Sequence, residues 1–153
     1  MEPHTVTVIN ATSVLEVVNA LRDYPEARLI QGGTDMMVEV NLNRARVNDV
    51  ISLRRVAELR RWHLDPDTAL LRIGAGVPFA EMERAPLSLH APALAQAART
   101  VGSPQIRAAG SLGGNLGTCS PAGDGLPVLS ALDAVVHLRS ATTERDVSIH
   151  DFM

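Results

Sequence analysis

From Gly102 to Gly125 the chain is dense in Gly, Ser, Pro and Asn and carries no hydrophobic period. Such a stretch supplies no amphipathic face, so the core has to be assembled from the segments on either side of it. A long irregular segment inside a compact domain usually serves binding. The expectation is therefore a long functional loop held between two regular regions.

The preceding region alternates strand and helix signals. Thr5 to Ile9 reads as a strand rich in β-branched residues. Ser13 stands three residues before Glu16, the spacing of a capping box, and Leu15, Val18 and Leu21 follow at helical intervals until Pro25. Arg28 to Gln31 reads as a strand running into Gly32-Gly33-Thr34-Asp35. Asp35 to Asn43 fits either a helix or an extended segment, and Asn48 to Leu53 reads as a strand. Val56 to Arg61 predicts a short helix, Ala69 to Ile73 a strand, Pro78 to Met82 a helix, and Ala91 to Val101 an alanine-rich helix ended by Gly102. Beyond the glycine-dense stretch, Leu126 to Leu132 predicts a helix, and Val135 to Arg139 and Arg145 to Ile149 two strands.

Composition narrows the function classes. With 46% hydrophobic and 20% charged residues a folded core is expected. Aromatics are only 3%, too few for the stacking platforms of single-strand nucleic-acid binders. The net charge is −3 and the arginines form no stripe, so a nucleic-acid footprint is not expected. The absence of lysine excludes a Walker A loop and a Schiff-base lysine. A lone Cys119 cannot make an internal disulfide, a Cys-rich zinc site or an iron–sulfur cluster. No leader-like segment or long apolar run is visible, and a soluble cytoplasmic protein is the expectation.

Two segments carry chemistry: Leu29-Ile30-Gln31-Gly32-Gly33-Thr34-Asp35, and Gly110-Ser111-Leu112-Gly113-Gly114-Asn115-Leu116-Gly117-Thr118. Paired glycines let a backbone approach a ligand closely, and successive free N–H groups bind anions. Thr34, Ser111 and Thr118 add hydroxyls and Asn115 an amide. These are donors suited to a pyrophosphate where no lysine exists, although either Gly-Gly pair could also be an ordinary tight turn. A Rossmann fingerprint at Gly74-Ala75-Gly76-Val77-Pro78-Phe79 is rejected, because Phe79 stands where a small residue is needed. His4, His63, His90, His137 and His150 lack ligand spacing, no catalytic pair is found, and no metal site is expected. Asp124 reads as a helix N-cap or an acceptor for a ligand, and Cys119 as a small buried filler.

With Ile73-Gly74-Ala75, the run from Val101 through Pro104-Gln105-Ile106-Arg107, Ser120 to Asp124 and Ala131 to Ala134 added in order, the sequence resembles the FAD-binding medium subunit of the xanthine dehydrogenase and aerobic carbon monoxide dehydrogenase family. The resemblance implies an α+β, two-lobed FAD-binding fold of the vanillyl-alcohol oxidase and p-cresol methylhydroxylase type, with lobes at 1–56 and 57–153. It implies that Leu29 to Met36 wraps the FAD pyrophosphate through backbone N–H groups and that Ser111, Leu112, Gly113, Gly114 and Asn115 complete the cradle. Val101 would line the adenine or flavin pocket and Asp124 would bond the cofactor. It further implies partners: a large subunit holding molybdopterin, a small subunit holding [2Fe–2S] clusters, and NAD or another final acceptor.

Two departures stand out. Members of that family continue into a C-terminal α+β domain, so the chain is expected to be the N-terminal part of a subunit with that domain absent. Many of them also carry a lysine in the segment that here reads Glu39 to Asn43. A stand-alone flavoenzyme of the same fold and a flavin-free assembly module remain the alternatives.

Overall fold

A computed structural model describes residues 6–44 and 49–153. Thr5 and Asn48, expected in strands, and His4 lie outside the described residues. The chain opens with a parallel unit: β1 (Val8–Asn10), α1 (Val14–Asp23), β2 (Arg28–Ile30), α2 (Met36–Asn41) and β3 (Val50–Ser52). The strand order is β1-β3-β2, and Val8 and Arg28 both pair with Val50 in parallel. With β3 central, the residues after β2 and those after β3 leave the sheet at the same rim, the C-terminal edge where open parallel sheets bind ligands.

Helix α1 begins where the sequence predicts. Ser13 Oγ accepts from the Glu16 N–H at 3.2 Å. The return bond goes to Thr12 rather than Ser13: Glu16 Oε2 accepts from the Thr12 N–H at 2.7 Å. The segment that the sequence left undecided is helical from Met36. Arg28 of β2 and Glu39 of α2 pair at 3.0 Å and fasten that helix to the sheet. Ala11, Val17, Ile51 and Val56 bury a small core under α1, and Ile51 is fully covered.

The chain then makes a 3-10 turn (Ala57–Arg60) and an antiparallel pair, β4 (Trp62–Leu64) and β5 (Leu71–Ile73). The sequence shows β5 but hides β4, whose three residues fall between Arg60-Arg61 and a turn. This antiparallel pairing also confirms that Gly74-Ala75-Gly76 is no Rossmann turn. Short helices follow: α3 (Phe79–Met82), α4 (Leu87–His90), α5 (Pro92–Thr100), α6 (Pro104–Ala109), α7 (Leu112–Thr118) and α8 (Gly125–Ala131). The hairpin β6 (Val135–Arg139) and β7 (Glu144–Ser148) and a last turn, α9 (Ile149–Phe152), complete the described chain. Val77, Phe79, Met82, Leu87, Leu94, Ala98, Leu112, Leu129 and Ile149 form the larger core. Ile149, expected at the end of a strand, is instead fully buried at the start of α9.

The glycine-dense stretch is the main correction. It is not irregular, because α6 and α7 occupy it. Ser103 caps α6, with Pro104 in its first turn, and Ser111 caps α7. Glycines cost a helix about 1 kcal/mol each relative to alanine, which hides α7 from a propensity argument. Contact with the rest of the molecule offsets that cost: a Cβ on Gly113 would lie 2.4 Å from Ala75 Cβ, so only glycine lets α7 pack there. Cys119, expected to be buried, is exposed and ends α7 in the left-handed region at φ 47°.

Candidate functional site

The two glycine segments meet. Phe79 N–H donates to the Gly110 carbonyl (3.1 Å) and Leu112 N–H to the Val77 carbonyl (3.3 Å), which lays the start of α7 against the Pro78 strand position. The end of α6 then abuts the loop after β2. A Cβ on Gly32 would lie 1.9 Å from the Ala109 carbonyl oxygen, so the two backbones touch directly. The contact is closed at its other end by Thr118, whose hydroxyl donates to Asp35 Oδ2 at 3.0 Å across 83 residues of sequence.

Each expected site residue can now be placed. Leu29 and Ile30 are in β2, and Leu29 is largely exposed. Among the described residues, the N–H groups of Gly32, Gly33, Thr34 and Asp35 have no backbone or side-chain acceptor. Gly33 is in the left-handed region at φ 72°, which turns the loop sharply. Met36 is buried and opens α2. Gln31 Nε2 reaches the Gly76 carbonyl at 3.4 Å, while Gln31 Oε1 is buried with no partner. A buried acceptor without a donor is uncommon.

The second segment behaves differently from the expectation. Four of its N–H groups are engaged: Leu112 on Val77, Gly113 on the Ala75 carbonyl (2.9 Å), Gly114 on Ser111 Oγ (3.1 Å) and Asn115 on the Ser111 carbonyl (3.0 Å). Because Ser111 caps a helix, these donors serve the helix start. What remains on the outside of α7 is bare backbone. Gly114 is exposed, and a Cβ on Gly117 would meet nothing within 4 Å. Asn115 Oδ1 accepts from the Gly125 N–H (3.1 Å) and so joins α7 to α8. Asp124 precedes α8 without capping it; Oδ1 accepts from the Thr100 hydroxyl at 2.9 Å. Val101 is half-buried at the C-terminal end of α5.

Sequence reasoning missed Arg54, Arg60 and Gln105. With Gln31, Gly32, Gly76, Pro78, Ala108 and Ala109 they line a cleft of about 340 Å³ beside the loop after β2. Neither arginine has a carboxylate partner among the described residues. A signal was present: Arg54 follows β3 closely, at the same sheet rim as Gly32. Among the described residues no three His, Cys, Asp or Glu side chains cluster as metal ligands, and no helix is long and apolar enough to cross a membrane.

Residues 4–153 match the family described as the FAD binding domain in molybdopterin dehydrogenase. The chain belongs to that family. Its mixed helix and sheet structure follows that of known members. It superposes on quinoline 2-oxidoreductase from Pseudomonas putida 86 with TM-score 0.92 and 26% identity, over 100% of this chain and 53% of that one. It also superposes on carbon monoxide dehydrogenase from Hydrogenophaga pseudoflava with TM-score 0.88 and 27% identity, over 100% and 55%. In sequence it is 39% identical over 137 residues to the nicotinate dehydrogenase FAD-subunit of Eubacterium barkeri, covering 89% of this chain and 45% of the relative. It is 32% identical over 143 residues to the xanthine dehydrogenase FAD-binding subunit of Escherichia coli O157:H7, covering 93% and 49%. The chain thus spans about half the length of the curated relatives it matches.

The chemistry of the site fits the cofactor of this FAD-binding domain. Four unengaged N–H groups in one turn suit a pyrophosphate, the arginines of the cleft suit its charge, and the unpaired Gln31 oxygen offers an acceptor to a cofactor hydroxyl or amine.

Proposed function

We propose that this chain holds FAD as an electron-transfer module of a molybdopterin-dependent hydroxylase or dehydrogenase. The supporting observation is the run of free N–H groups from Gly32 to Asp35, at a sheet rim flanked by Arg54 and Arg60. In this reading Leu29 to Met36 wraps the pyrophosphate. Ser111 to Asn115 contribute differently from a second set of donors: Ser111 fixes α7, and Gly114 leaves room for the cofactor to approach. Val101, Thr118 and Asp124 border the same site. FAD supplies the redox chemistry when bound. The chain supplies position, charge complementarity and exclusion of water, and this role requires no acid or base from it. The fold is of the vanillyl-alcohol oxidase type, with lobes at 1–56 and 57–153 and the cofactor between them. Electrons arrive from [2Fe–2S] clusters on a small partner subunit, beside a molybdopterin-bearing large subunit, and leave to NAD or another acceptor. The work is done in the cytoplasm.

Titration of the purified chain with FAD tests the reading. Retention of flavin absorbance through desalting is the expected result. A colourless protein that gives no heat with FAD in calorimetry would refute it and leave a flavin-free assembly module. Co-purification with a molybdopterin subunit and an iron–sulfur subunit distinguishes the module from a stand-alone flavoenzyme.

A further inference from the structure

Arg107 joins three helices at one point. It lies in the last turn of α6, and its side chain is only 17% exposed. Its Nε donates to Glu83 Oε1 at 2.7 Å, and Glu83 caps the C-terminus of α3. Its Nη1 donates to the Val101 carbonyl (3.2 Å) and the Gly102 carbonyl (3.1 Å). Those two carbonyls end α5, where orphan acceptors and the negative end of the helix dipole both favour a guanidinium. Gly102 turns the chain there with φ 41° and lies against Ile106, where a Cβ would be 3.0 Å from Ile106 Cβ. A single planar fork therefore fixes the α5–α6 corner from inside and ties it to α3.

We infer that Arg107 is a positioning residue for the cofactor: it sets the distance between Val101 and the loop after β2. The inference rests on the FAD reading above. Two paths lead from the guanidinium to the site. One runs through the Val101 carbonyl and places that residue directly. The other runs along α6, whose terminal Ala109 carbonyl abuts Gly32 and whose Ala108 and Ala109 line the cleft. If α6 shifts, the wall of the cleft and the backing of the donor loop shift with it. A lysine cannot substitute. It supplies a point charge for Glu83 but not the rigid fork that reaches a carboxylate and two carbonyls together.

The test compares the wild-type chain with Arg107→Gln, Arg107→Lys and Glu83→Gln. FAD affinity is read by flavin fluorescence quenching, bound-flavin geometry by visible circular dichroism, and folding by melting of the FAD-free protein. Arg107→Gln and Arg107→Lys should weaken FAD roughly tenfold, the scale of a lost charge-assisted hydrogen bond, and alter the flavin dichroism. Arg107→Lys keeps the charge beside Glu83 and guards against a variant that fails to fold. Glu83→Gln leaves the guanidinium on both carbonyls and should weaken FAD by about threefold or less. Wild-type affinity and dichroism in Arg107→Lys would overturn the inference. So would equal losses in Glu83→Gln and Arg107→Gln that track their melting temperatures, because the residue would then be only a stabiliser. A wild-type chain that binds no FAD would instead refute the FAD reading itself.

Discussion

Gly32-Gly33 and Gly113-Gly114 are the same dipeptide, each placed after an apolar lead-in, yet the molecule uses them in opposite ways. After β2 the chain turns through a left-handed Gly33 and leaves four N–H groups without acceptors. In α7 every corresponding N–H is engaged, one of them by the Ser111 cap. The difference lies in what precedes each pair. Ser111, two residues before Gly113, caps a helix that begins at Leu112, whereas the Leu29-Ile30-Gln31 lead-in to Gly32 holds no capping side chain, so one segment stays a donor-bearing loop and the other becomes a helix that presents backbone surface. The two segments do share one property: Gly32 and Gly113 each touch another backbone where no Cβ fits.

That shared property sets the largest expected effect. Gly32→Val places a branched side chain into the Ala109 carbonyl and should destabilise the protein by about 3 kcal/mol or more, with flavin lost as a consequence. A Gly32→Val protein that melts normally but binds no FAD would mean that this glycine faces the ligand rather than α6. Gly113→Ala should cost about 2 kcal/mol by the same mechanism against Ala75, measured by urea denaturation. Ser111→Ala tests whether the cap makes the difference between the segments. It should cost about 1 kcal/mol of stability, and an unchanged denaturation midpoint would mean that the cap does not separate the two segments. Gly117→Ala sharpens it from the other side. With nothing within 4 Å of the added methyl, the change should stabilise α7 by up to about 1 kcal/mol. Weaker FAD binding in that more stable variant would place the cofactor on the outer face of α7, and unchanged binding would move it elsewhere.

The smallest effect lies away from the site. The Glu16 carboxyl is held below the usual carboxylate range, first by the Thr12 N–H and then by the Thr12 hydroxyl. A depressed folded-state value means its contribution is complete above the unfolded value and disappears as pH falls through the folded one. Acid melting curves of Glu16→Gln should therefore lack a shallow loss of stability in that window. A wild-type-like acid limb in the variant would remove Glu16 from the account.

Much of the first unit was legible because its signals are local: Ser13 with Glu16, the apolar spacing of α1, and short β-branched strands before turn residues. The donor loop at Gly32 to Asp35 was legible for the same reason. The helices of the glycine-dense stretch were not, although Ser103-Pro104 and Ser111 are helix-start signals, because three glycines in α7 contradict them. Only contact with Ala75 decides the matter, and that contact is invisible in a linear reading. Arg54 and Arg60 were missed because their role depends on β3 lying between β1 and β2. Cys119 was misplaced because a left-handed helix end at the surface leaves no mark in composition.

The Thr118–Asp35 bond carries a consequence for assembly in the cell. The donor loop is synthesised early, but the residue that closes it arrives 83 positions later. During translation the first sheet can form while its binding rim is still open, since contacts of such long sequence separation are slow to form. The rim at Gly32 to Asp35 therefore takes the closed form described above only once α7 has been synthesised.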